Sequence, residues 1–325
     1  MCQSLGLQKF VGKQLADWIY RKRVFALDEM TNISKAARAV LQEHCVVGCS
    51  SPVREQRSVD GTVKYLYATA DGHFIETVFI PDGERATLCV SCQVGCKMGC
   101  AFCMTGRQGF HGNLTAAEII NQILSIPESE SLTNVVFMGM GEPMDNYDAV
   151  VKVIEVLTAK WGFAWSPKRI TVSSIGKLTE LKRLIDSTSV HIAISVHSPF
   201  HRERLQLMPV ENAFPIDDVM TLLANYDFAH QRRLSVEYIM WDNLNDDIAH
   251  ADALAELIRH TSARVNLIRF HAIPDSRLRT ATNQRMVEFR DHLNQLGIIC
   301  TIRRSRGEDI MAACGMLAGK NKSNQ

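Results

Sequence analysis

The strongest constraint on the fold is an alternation of apolar runs and helical segments between residues 134 and 302. The apolar runs are predicted strands at residues 134–138, 169–172, 190–195, 234–240, 264–268 and 298–302. The amphipathic segments are predicted helices at 148–160, 178–185, 216–225, 247–260 and 283–296. Apolar strands joined by helical crossovers predict a parallel sheet. About six units are too few to close an eight-stranded barrel, so we expect an α/β fold, a partial TIM-like (β/α)6 barrel with its chemistry at the carboxyl ends of the strands.

The residues before this alternation have two other patterns. Residues 10–43 have helical periodicity with one basic face, whereas residues 62–68, 73–80 and 87–90 are β-like, with a hairpin signal between the first two runs. The sequence therefore predicts a small helical accessory domain at 1–50 and a short β-rich connector at 51–86. The partial barrel then occupies 87–325 and ends in a polar tail at 320–325.

Composition narrows the classes of protein. The formal net charge is +1, so any contact with nucleic acid must come from a local basic cluster. No segment has the pattern of a signal peptide, and no apolar run approaches the roughly 18 residues of a membrane span. We therefore expect a cytoplasmic protein without a membrane partner. Its ten cysteines then indicate metal or redox chemistry rather than structural disulfides.

Three cysteines, Cys96, Cys100 and Cys103, follow the first predicted barrel strand with the spacing Cys-x3-Cys-x2-Cys. A four-iron cubane normally takes four thiolates, so three would leave one iron open to a further ligand. Zinc is the alternative, but zinc sites usually have four paired Cys or His ligands, and His111 is unpaired. The pattern favours a [4Fe-4S] cluster. Its spacing resembles that of radical S-adenosylmethionine (SAM) enzymes, in which the open iron binds the methionine moiety of SAM.

Polar residues stand at the ends of the next predicted strands. Gly141 and Glu142 follow the strand at 134–138, Ser173 ends the next one, and the residues at 195–197 end the strand after that. In an open barrel these ends meet at one mouth, where they could bind a cofactor. Helix capping is the alternative explanation for the serines, since Ser is a favoured N-cap residue.

Three longer motifs together resemble the dual-specificity RNA adenine-C2 methyltransferases, the ribosomal RNA large subunit methyltransferase N family. They are CVSCQVGCKMGCAFC at 89–103, MGMGEP at 138–143 and RRSRGEDIMAACG at 303–315. The resemblance covers almost the whole chain. It implies a radical SAM partial barrel behind an RNA-binding accessory domain. It also implies methylation of one adenosine in the peptidyl-transferase loop of 23S rRNA and of the adenosine beside the anticodon in tRNA.

The resemblance also implies roles for individual residues. Cys314 would carry the methyl group, Cys89 would resolve the product, and Glu76 would accept a proton. The cluster ligands would be Cys96, Cys100 and Cys103, and the SAM contacts would be Gly141, Glu142, Ser173, Ser195, Val196, His197 and His271. His271 stands where the family usually has Asn, and Cys92, where many members have Ser, has no assigned role.

The implied reaction follows from the chemistry of adenine. C2 lies between two ring nitrogens and is too electron-poor to attack a sulfonium methyl, so a radical route through a methylated Cys314 and an RNA–enzyme adduct is expected. This route uses two SAM molecules per turnover. A positive field from Arg303, Arg304 and Arg306 would favour the Cys314 thiolate.

The implied partners are 23S rRNA, tRNA and an electron donor such as flavodoxin, with the enzyme acting as a monomer. Contacts to RNA phosphates are expected from basic residues of the first 57 positions, namely Lys9, Lys13, Arg21, Lys22, Arg23, Arg54 and Arg57. Two alternatives stay open. One is the sister activity, methylation of adenine C8, and the other is a non-catalytic RNA-binding protein that contains a metal.

Overall fold

The structure is a computed structural model that describes residues 1–228, 230 and 232–319. The tail predicted at 320–325 lies outside these described residues. Within the described ranges, no helix combines the length and the apolar content that crossing a membrane requires.

A ten-stranded sheet organises the described chain. Its strands lie side by side in the order β1-β2-β3-β4-β7-β8-β9-β10-β11-β12, and β5 and β6 form a separate pair. The bounds are Arg54–Arg57 (β1), Val63–Ala68 (β2), Phe74–Asp82 (β3), Arg85–Cys89 (β4), Gln93–Gly95 (β5), Phe110–Asn113 (β6), Asn134–Phe137 (β7), Ile170–Ser174 (β8), His191–Ser195 (β9), Leu234–Met240 (β10), Arg264–Arg269 (β11) and Cys300–Ile302 (β12). Within the ten-stranded sheet, every neighbouring pair along the order β4-β7-β8-β9-β10-β11-β12 is parallel, which confirms the predicted parallel sheet.

Helices α1 and α2 precede the first strand, and the later helices lie between strands. Their bounds are Lys9–Ala16 (α1), Lys35–His44 (α2), Met104–Arg107 (α3), Ala116–Leu124 (α4), Tyr147–Thr158 (α5), Leu178–Ser187 (α6), His201–Leu207 (α7), Ile216–Leu223 (α8), Ile248–Ile258 (α9) and Asn283–Gln295 (α10). Thr115 and Glu118 form a capping box that satisfies free amides at the start of α4. Six strands, β4 and β7 to β11, are each followed by such a crossover helix, and the open sheet is therefore a (β/α)6 partial barrel.

The segment predicted as a β connector continues the barrel wall. Strands β1 to β3 are antiparallel to one another, and β3 joins β4 with Val78 opposite Cys89. Because β4 belongs to both the antiparallel and the parallel part, residues of β3 lie beside the first strand of the barrel. The position of Cys89 at that junction places it between the two parts of the sheet.

The core lies between the sheet and its helices. Every residue of β10 is buried, as a strand covered on both faces should be. Each buried Val, Ile or Leu contributes about 1.5–3 kcal/mol relative to an exposed one. Because these strands are mainly apolar, they can be recognised in the sequence, and their burial stabilises the barrel.

The N-terminal helices have a small core of their own, centred on Met30, Ile33 and Leu41. Arg23 connects this unit to the barrel. Its guanidinium lies 4.8 Å from the ring centroid of Phe163, and its Nη1 donates a 2.5 Å hydrogen bond to Ser129 Oγ. Arg23, which the sequence analysis expects to contact RNA, is therefore engaged in holding the helical unit against the barrel.

Candidate active site

A cavity at the carboxyl ends of the parallel strands collects most of the predicted site residues. Its walls come from the strand ends, the cysteine loop and the C-terminal segment. The predicted residues that line it are Cys89, Cys96, Cys100, Cys103, Gly141, Glu142, Ser173, Ser195, His197 and Cys314. Residues from five parts of the sequence that are far apart in the chain thus meet at one place. Val196, Glu76 and His271 are not among the lining residues.

The cysteine loop is shaped by the β5–β6 pair. Gly95 ends β5 with φ +72°, and a Cβ atom there would overlap the carbonyl oxygen of Gly109. The amide of Cys96 donates a 2.9 Å hydrogen bond to that carbonyl. Between the last two cysteines, Phe102 is buried and packs edge-on against His197, with ring centroids 4.8 Å apart. Glycine is required at position 95 because the chain must turn here with two backbones in contact.

The three motif cysteines fit a cluster better than a single ion. Burial raises the pKa of Cys96 to about 12 and that of Cys100 well above its usual value, and a charge on Cys103 would raise both further. Cys96 and Cys100 are therefore neighbours of Cys103, and their thiols stay protonated until a bound metal displaces the protons. Among the described residues, no three His, Cys, Asp or Glu side chains converge as single-ion ligands do. A cubane spreads its thiolates over separate irons and does not need such convergence.

His111, the residue considered for a zinc site, contacts another histidine. Its ring stacks on that of His73 with centroids 4.5 Å apart, and it does not line the cavity. The zinc alternative therefore lacks its fourth ligand at this position.

Glu142 is a buried acidic residue that lines the cavity. Its oxygens accept hydrogen bonds from Ser174 Oγ (2.7 Å), Ile175 N (3.1 Å) and Met144 N (3.1 Å). Burial is the larger effect and raises the pKa of Glu142 to about 7, although these donors oppose it. A carboxylate held in this way can receive a cationic group such as the amino group of an amino-acid moiety. Gly141 before it allows close approach to Gln93, since a Cβ there would meet the Gln93 side chain at 2.5 Å.

His197 presents a neutral imidazole. Burial, together with the nearby Arg204, lowers the pKa of His197 to about 3. Its Nδ1 accepts a 3.0 Å hydrogen bond from Ile239 N, so the proton of the neutral ring resides on Nε2. The residue adopts φ +61°, a strained backbone conformation for a side chain with Cβ. The strain is maintained by Asn245, whose Nδ2 donates a 2.6 Å hydrogen bond to the His197 carbonyl.

Arg204 fastens the strand ends that carry these groups. It is fully buried, pairs with Glu211, and donates to the carbonyls of Val196 (3.1 Å), Ser195 (3.1 Å) and Ile175 (3.2 Å). Val196, a predicted SAM contact, accepts a hydrogen bond from Arg204 through its backbone carbonyl, and its side chain is buried in the core. Arg204 was not predicted from the sequence, because nothing in the short helix α7 indicates which strand ends the Arg204 side chain will contact.

Cys89 and Cys314 share the cavity with Arg303. Burial, followed by the nearby Cys314, raises the pKa of Cys89 to about 12, whereas Arg303 acts in the opposite direction. The pKa of Arg303 is itself raised, chiefly by Cys314. Of the three arginines expected to act on the thiols, Arg303 alone lines the cavity. Arg306 instead pairs with Asp82 at 2.6 Å, and Arg304 is exposed.

Glu76 and His271 contact the C-terminal segment instead of lining the cavity. The Glu76 carboxylate lies 3.1 Å from Lys64 Nζ and accepts hydrogen bonds from the amides of Ala318 (2.7 Å) and Gly319 (3.2 Å). It stands two residues before Val78, a lining residue, and therefore on the same face of β3. His271 Nε2 lies 3.0 Å from Ser305 Oγ.

The basic residues expected to contact RNA lie outside the cavity. Lys9, Lys13 and Arg54 are exposed. Arg21 and Lys22 both lie near Asp17, at 3.9 Å and 3.4 Å, and Arg57 lies 3.3 Å from Glu55. These basic residues are thus distributed over the exposed surface of the helical unit and of β1.

Comparisons with known proteins decide the family. Residues 90–255 match the Radical SAM superfamily, and residues 1–47 match the ribosomal RNA large subunit methyltransferase N-terminal domain. The chain is 57% identical over 318 residues to the probable dual-specificity RNA methyltransferase RlmN of Parabacteroides distasonis, covering 98% of this chain and 93% of that protein. The chain belongs to the RlmN family. It is a radical SAM RNA methyltransferase.

Two further relatives agree with the RlmN assignment. The dual-specificity RNA methyltransferase RlmN of Halorhodospira halophila is 40% identical and covers 98% of this chain and 89% of its own length. The crystal structure of a radical SAM methyltransferase from Sphaerobacter thermophilus superimposes with a TM-score of 0.91 at 37% identity, covering 98% of this chain and 95% of that one. Membership of the radical SAM superfamily implies a [4Fe-4S] cluster and the use of SAM.

Proposed function

We propose that this enzyme methylates C2 of adenine, in the peptidyl-transferase loop of 23S rRNA and beside the anticodon of tRNA, with Cys314 carrying the methyl group. The observation that carries the proposal is the meeting of Cys89 and Cys314 with the three motif cysteines in one cavity. A protein that merely bound RNA through a metal would need neither of these two thiols. The dual-specificity names of the relatives support two RNA substrates.

Cys96, Cys100 and Cys103 would hold the cluster, and Glu142, Ser173, Ser195 and His197 would hold SAM beside it. The cluster and SAM supply one-electron chemistry at this place when they are bound. Glu142 would receive the amino group of the methionine moiety. The neutral His197 would donate through Nε2, since its Nδ1 is occupied by Ile239 N.

Cys314 and Cys89 divide the remaining chemistry. The Cys314 thiolate, formed beside the Arg303 guanidinium, would attack the methyl carbon of one SAM molecule and become a methyl thioether, with S-adenosylhomocysteine as the leaving group. A second SAM molecule is needed to activate that methyl group, so we propose two per turnover. That activation would remove one hydrogen atom from the methyl group, and the carbon would then bond to adenine C2. Once the C2 proton has been lost and one electron has returned to the cluster, Cys89 would attack the Cys314 sulfur. The S–S bond would form as the sulfur–carbon bond breaks, the released carbon would take up a proton to become the methyl group of the RNA, and a Cys89–Cys314 disulfide would be left for reduction.

Glu76 remains the candidate for removing the C2 proton. Its carboxylate forms a 3.1 Å ion pair with Lys64, whose side chain is also buried. Because the carboxylate also accepts two amides of the C-terminal segment, it would act after that segment has moved.

The remaining proposals concern organisation. We propose residues 1–50 as an RNA-binding accessory unit, 51–86 as the connector and 87–325 as the catalytic barrel. Lys9, Lys13 and Arg54 are the exposed residues suited to phosphate contacts. We further propose a cytoplasmic monomer that receives electrons from flavodoxin.

The test uses anaerobic, cluster-loaded enzyme with SAM labelled in its methyl group. 23S rRNA fragments and tRNA are treated separately, digested to nucleosides and analysed by mass spectrometry against 2-methyladenosine and 8-methyladenosine. The proposal expects label in 2-methyladenosine from both RNAs. Label in 8-methyladenosine would establish the sister activity, and label from one RNA would restrict the substrates.

A further inference from the structure

Lys64 is a buried lysine in a strand of otherwise aliphatic and aromatic residues. It is the second residue of β2, and its side chain is 9% exposed. An ammonium group removed from water in this way destabilises the fold unless it has partners. The reaction described above gives Lys64 no role beyond its ion pair with Glu76.

The Lys64 ammonium group joins two parts of the structure. Its Nζ atom lies 3.1 Å from Glu76 Oε1 and donates a 3.3 Å hydrogen bond to the backbone carbonyl of Met311. The other oxygen of Glu76 accepts a 2.7 Å hydrogen bond from the amide of Ala318. Lys64 therefore holds the chain three residues before Cys314, and Glu76 holds it four residues after Cys314.

Met311 has a backbone conformation that needs support from its surroundings. Its φ of +54° lies in the left-handed region, which is unfavourable for a residue with a side chain. Its amide donates a 3.1 Å hydrogen bond to the carbonyl of Glu308, and its own carbonyl accepts the hydrogen bond from Lys64. Loss of the Lys64 bond would favour a return to negative φ, which would redirect the chain just before Cys314.

The register of the sheet places Lys64 on the same face as Cys89. Lys64 pairs with Val78 across β2 and β3, and Val78 pairs with Cys89 across β3 and β4. Side chains in register project from the same face of a sheet, and Val78 and Cys89 both line the cavity. The Met311 carbonyl is thus fixed to the part of the wall that carries Cys89.

A disulfide between Cys89 and Cys314 requires accurate positions of both residues, because bonded cysteines have Cα atoms about 4.4–6.8 Å apart. We propose that Lys64 is a positioning residue for Cys314, which it holds within bonding reach of Cys89 through the Met311 carbonyl. Lys64 keeps the near side of the segment in place when Glu76 releases the far side. This inference rests on the proposed function, in which the two thiols pair.

The test measures disulfide formation in the absence of RNA and SAM. Anaerobic, cluster-loaded protein is equilibrated with defined ratios of reduced and oxidised glutathione, and the Cys89–Cys314 disulfide is quantified by peptide mass spectrometry. The two thiols are oxidised as one glutathione disulfide is reduced to two glutathione thiols. Loss of a hydrogen bond from a charged donor should lower the equilibrium constant about tenfold in Lys64→Met. Lys182→Met, an exposed change in α6, is the matched control and should behave as the wild type does.

A second background separates positioning from general stability. Lys64→Met by itself leaves the Glu76 carboxylate buried without its cation, which destabilises the fold. The same change is therefore also made in Glu76→Gln, where it removes a buried lysine that has lost its ion pair. In that background Lys64→Met should raise the melting temperature and still lower the disulfide equilibrium constant about tenfold. A merely structural role would move both quantities in the same direction.

Two results would overturn the proposal. One is an unchanged equilibrium constant in Lys64→Met. The other is a constant in Lys64→Met/Glu76→Gln that equals or exceeds the constant of Glu76→Gln, since Lys64 would then serve only to neutralise Glu76. A wild-type protein that forms no Cys89–Cys314 disulfide would refute the pairing in the proposed function and this inference with it, so the two failures are distinguishable.

Discussion

The Thr105 hydroxyl donates a 2.8 Å hydrogen bond to the backbone carbonyl of Leu317. Thr105 stands two residues after the last motif cysteine, and Leu317 three residues after Cys314. Residues 312–319, here called the C-terminal strap, are also held by the Met104 amide, which donates to Gly315 O at 2.8 Å. The helix that follows the cluster cysteines is thus joined directly to the segment that carries Cys314.

Thr105→Val should loosen the strap. The loss of one hydrogen bond costs about 1 kcal/mol, which corresponds to roughly fivefold more frequent local opening. Hydrogen exchange followed by mass spectrometry should show that the amides of Ala318 and Gly319 exchange about fivefold faster. Thr179→Val, at an exposed position in α6, is the control and should leave them unchanged. Equal exchange in Thr105→Val and wild type would contradict a fastening role for this hydroxyl.

Cys314→Ala should abolish the covalent capture of RNA, because it removes the sulfur proposed to carry the methyl group. Cys89→Ala should instead accumulate the RNA–protein adduct, since no second thiol can release it. Denaturing gels of anaerobic reactions with labelled RNA measure both outcomes. Cys300→Ala, a buried cysteine in β12 outside the cavity, is the control and should turn over without an adduct. Normal turnover by Cys89→Ala would show that Cys89 does not resolve the adduct.

Gly95→Ala should disrupt the cysteine loop. A methyl group there would overlap the Gly109 carbonyl, and φ +72° is itself unfavourable for alanine, with a combined cost of about 2 kcal/mol or more. We expect a lower melting temperature and less iron per chain after anaerobic reconstitution. Gly112→Ala in the paired strand is the matched control, because a Cβ there meets nothing within 4 Å. Similar iron contents in the two variants would contradict this account.

Arg204→Met should destabilise the protein by about 3–5 kcal/mol, because it leaves the Glu211 carboxylate buried without its cation. The double variant Arg204→Met/Glu211→Gln removes that charge and should be more stable than the single variant by about 2 kcal/mol. Urea unfolding of the cluster-free proteins measures both free energies. A double variant less stable than Arg204→Met would show that the loss does not come from the unpaired carboxylate.

Acidification should destabilise the fold through His191, at the start of β9. Burial lowers the pKa of His191 to about 4, from an ordinary value of 6.5, and the ring nitrogen Nδ1 accepts a 2.9 Å hydrogen bond from Arg233 N. The unfolded chain therefore binds a proton that the folded chain refuses, so the free energy of unfolding falls as the pH drops from about 6.5 to about 4. His191→Asn keeps an acceptor without titrating. Between about pH 6.5 and pH 4, the free energy of unfolding measured in urea should fall more steeply for the wild type than for His191→Asn. Equal slopes would exclude a contribution from His191.

The architecture of the barrel was predictable from local patterns. Strands such as β10 are buried on both faces and are therefore mainly apolar in sequence, and the start of α4 carries a capping box. Short elements were not predictable. The α3 helix has four residues and the β5 strand three, which is too short for periodicity to be seen, and both are shaped by the cysteine loop around them.

Site residues that belong to a sequence motif were predictable, whereas contacts between residues far apart in the chain were not. The cysteines and the strand-end residues follow from motifs. The contact of Glu76 with Ala318 joins residues 242 positions apart, and no sequence pattern indicates it.

The outermost strand β1 has a consequence for how the enzyme behaves at high concentration. Three of its four residues, Arg54, Glu55 and Arg57, are charged and exposed, and the strand is short. An open sheet presents unpaired backbone groups at such an edge. Another chain that paired with β1 would have to desolvate these charged side chains, which is unfavourable. The charged residues of β1 thus protect an open sheet against aggregation.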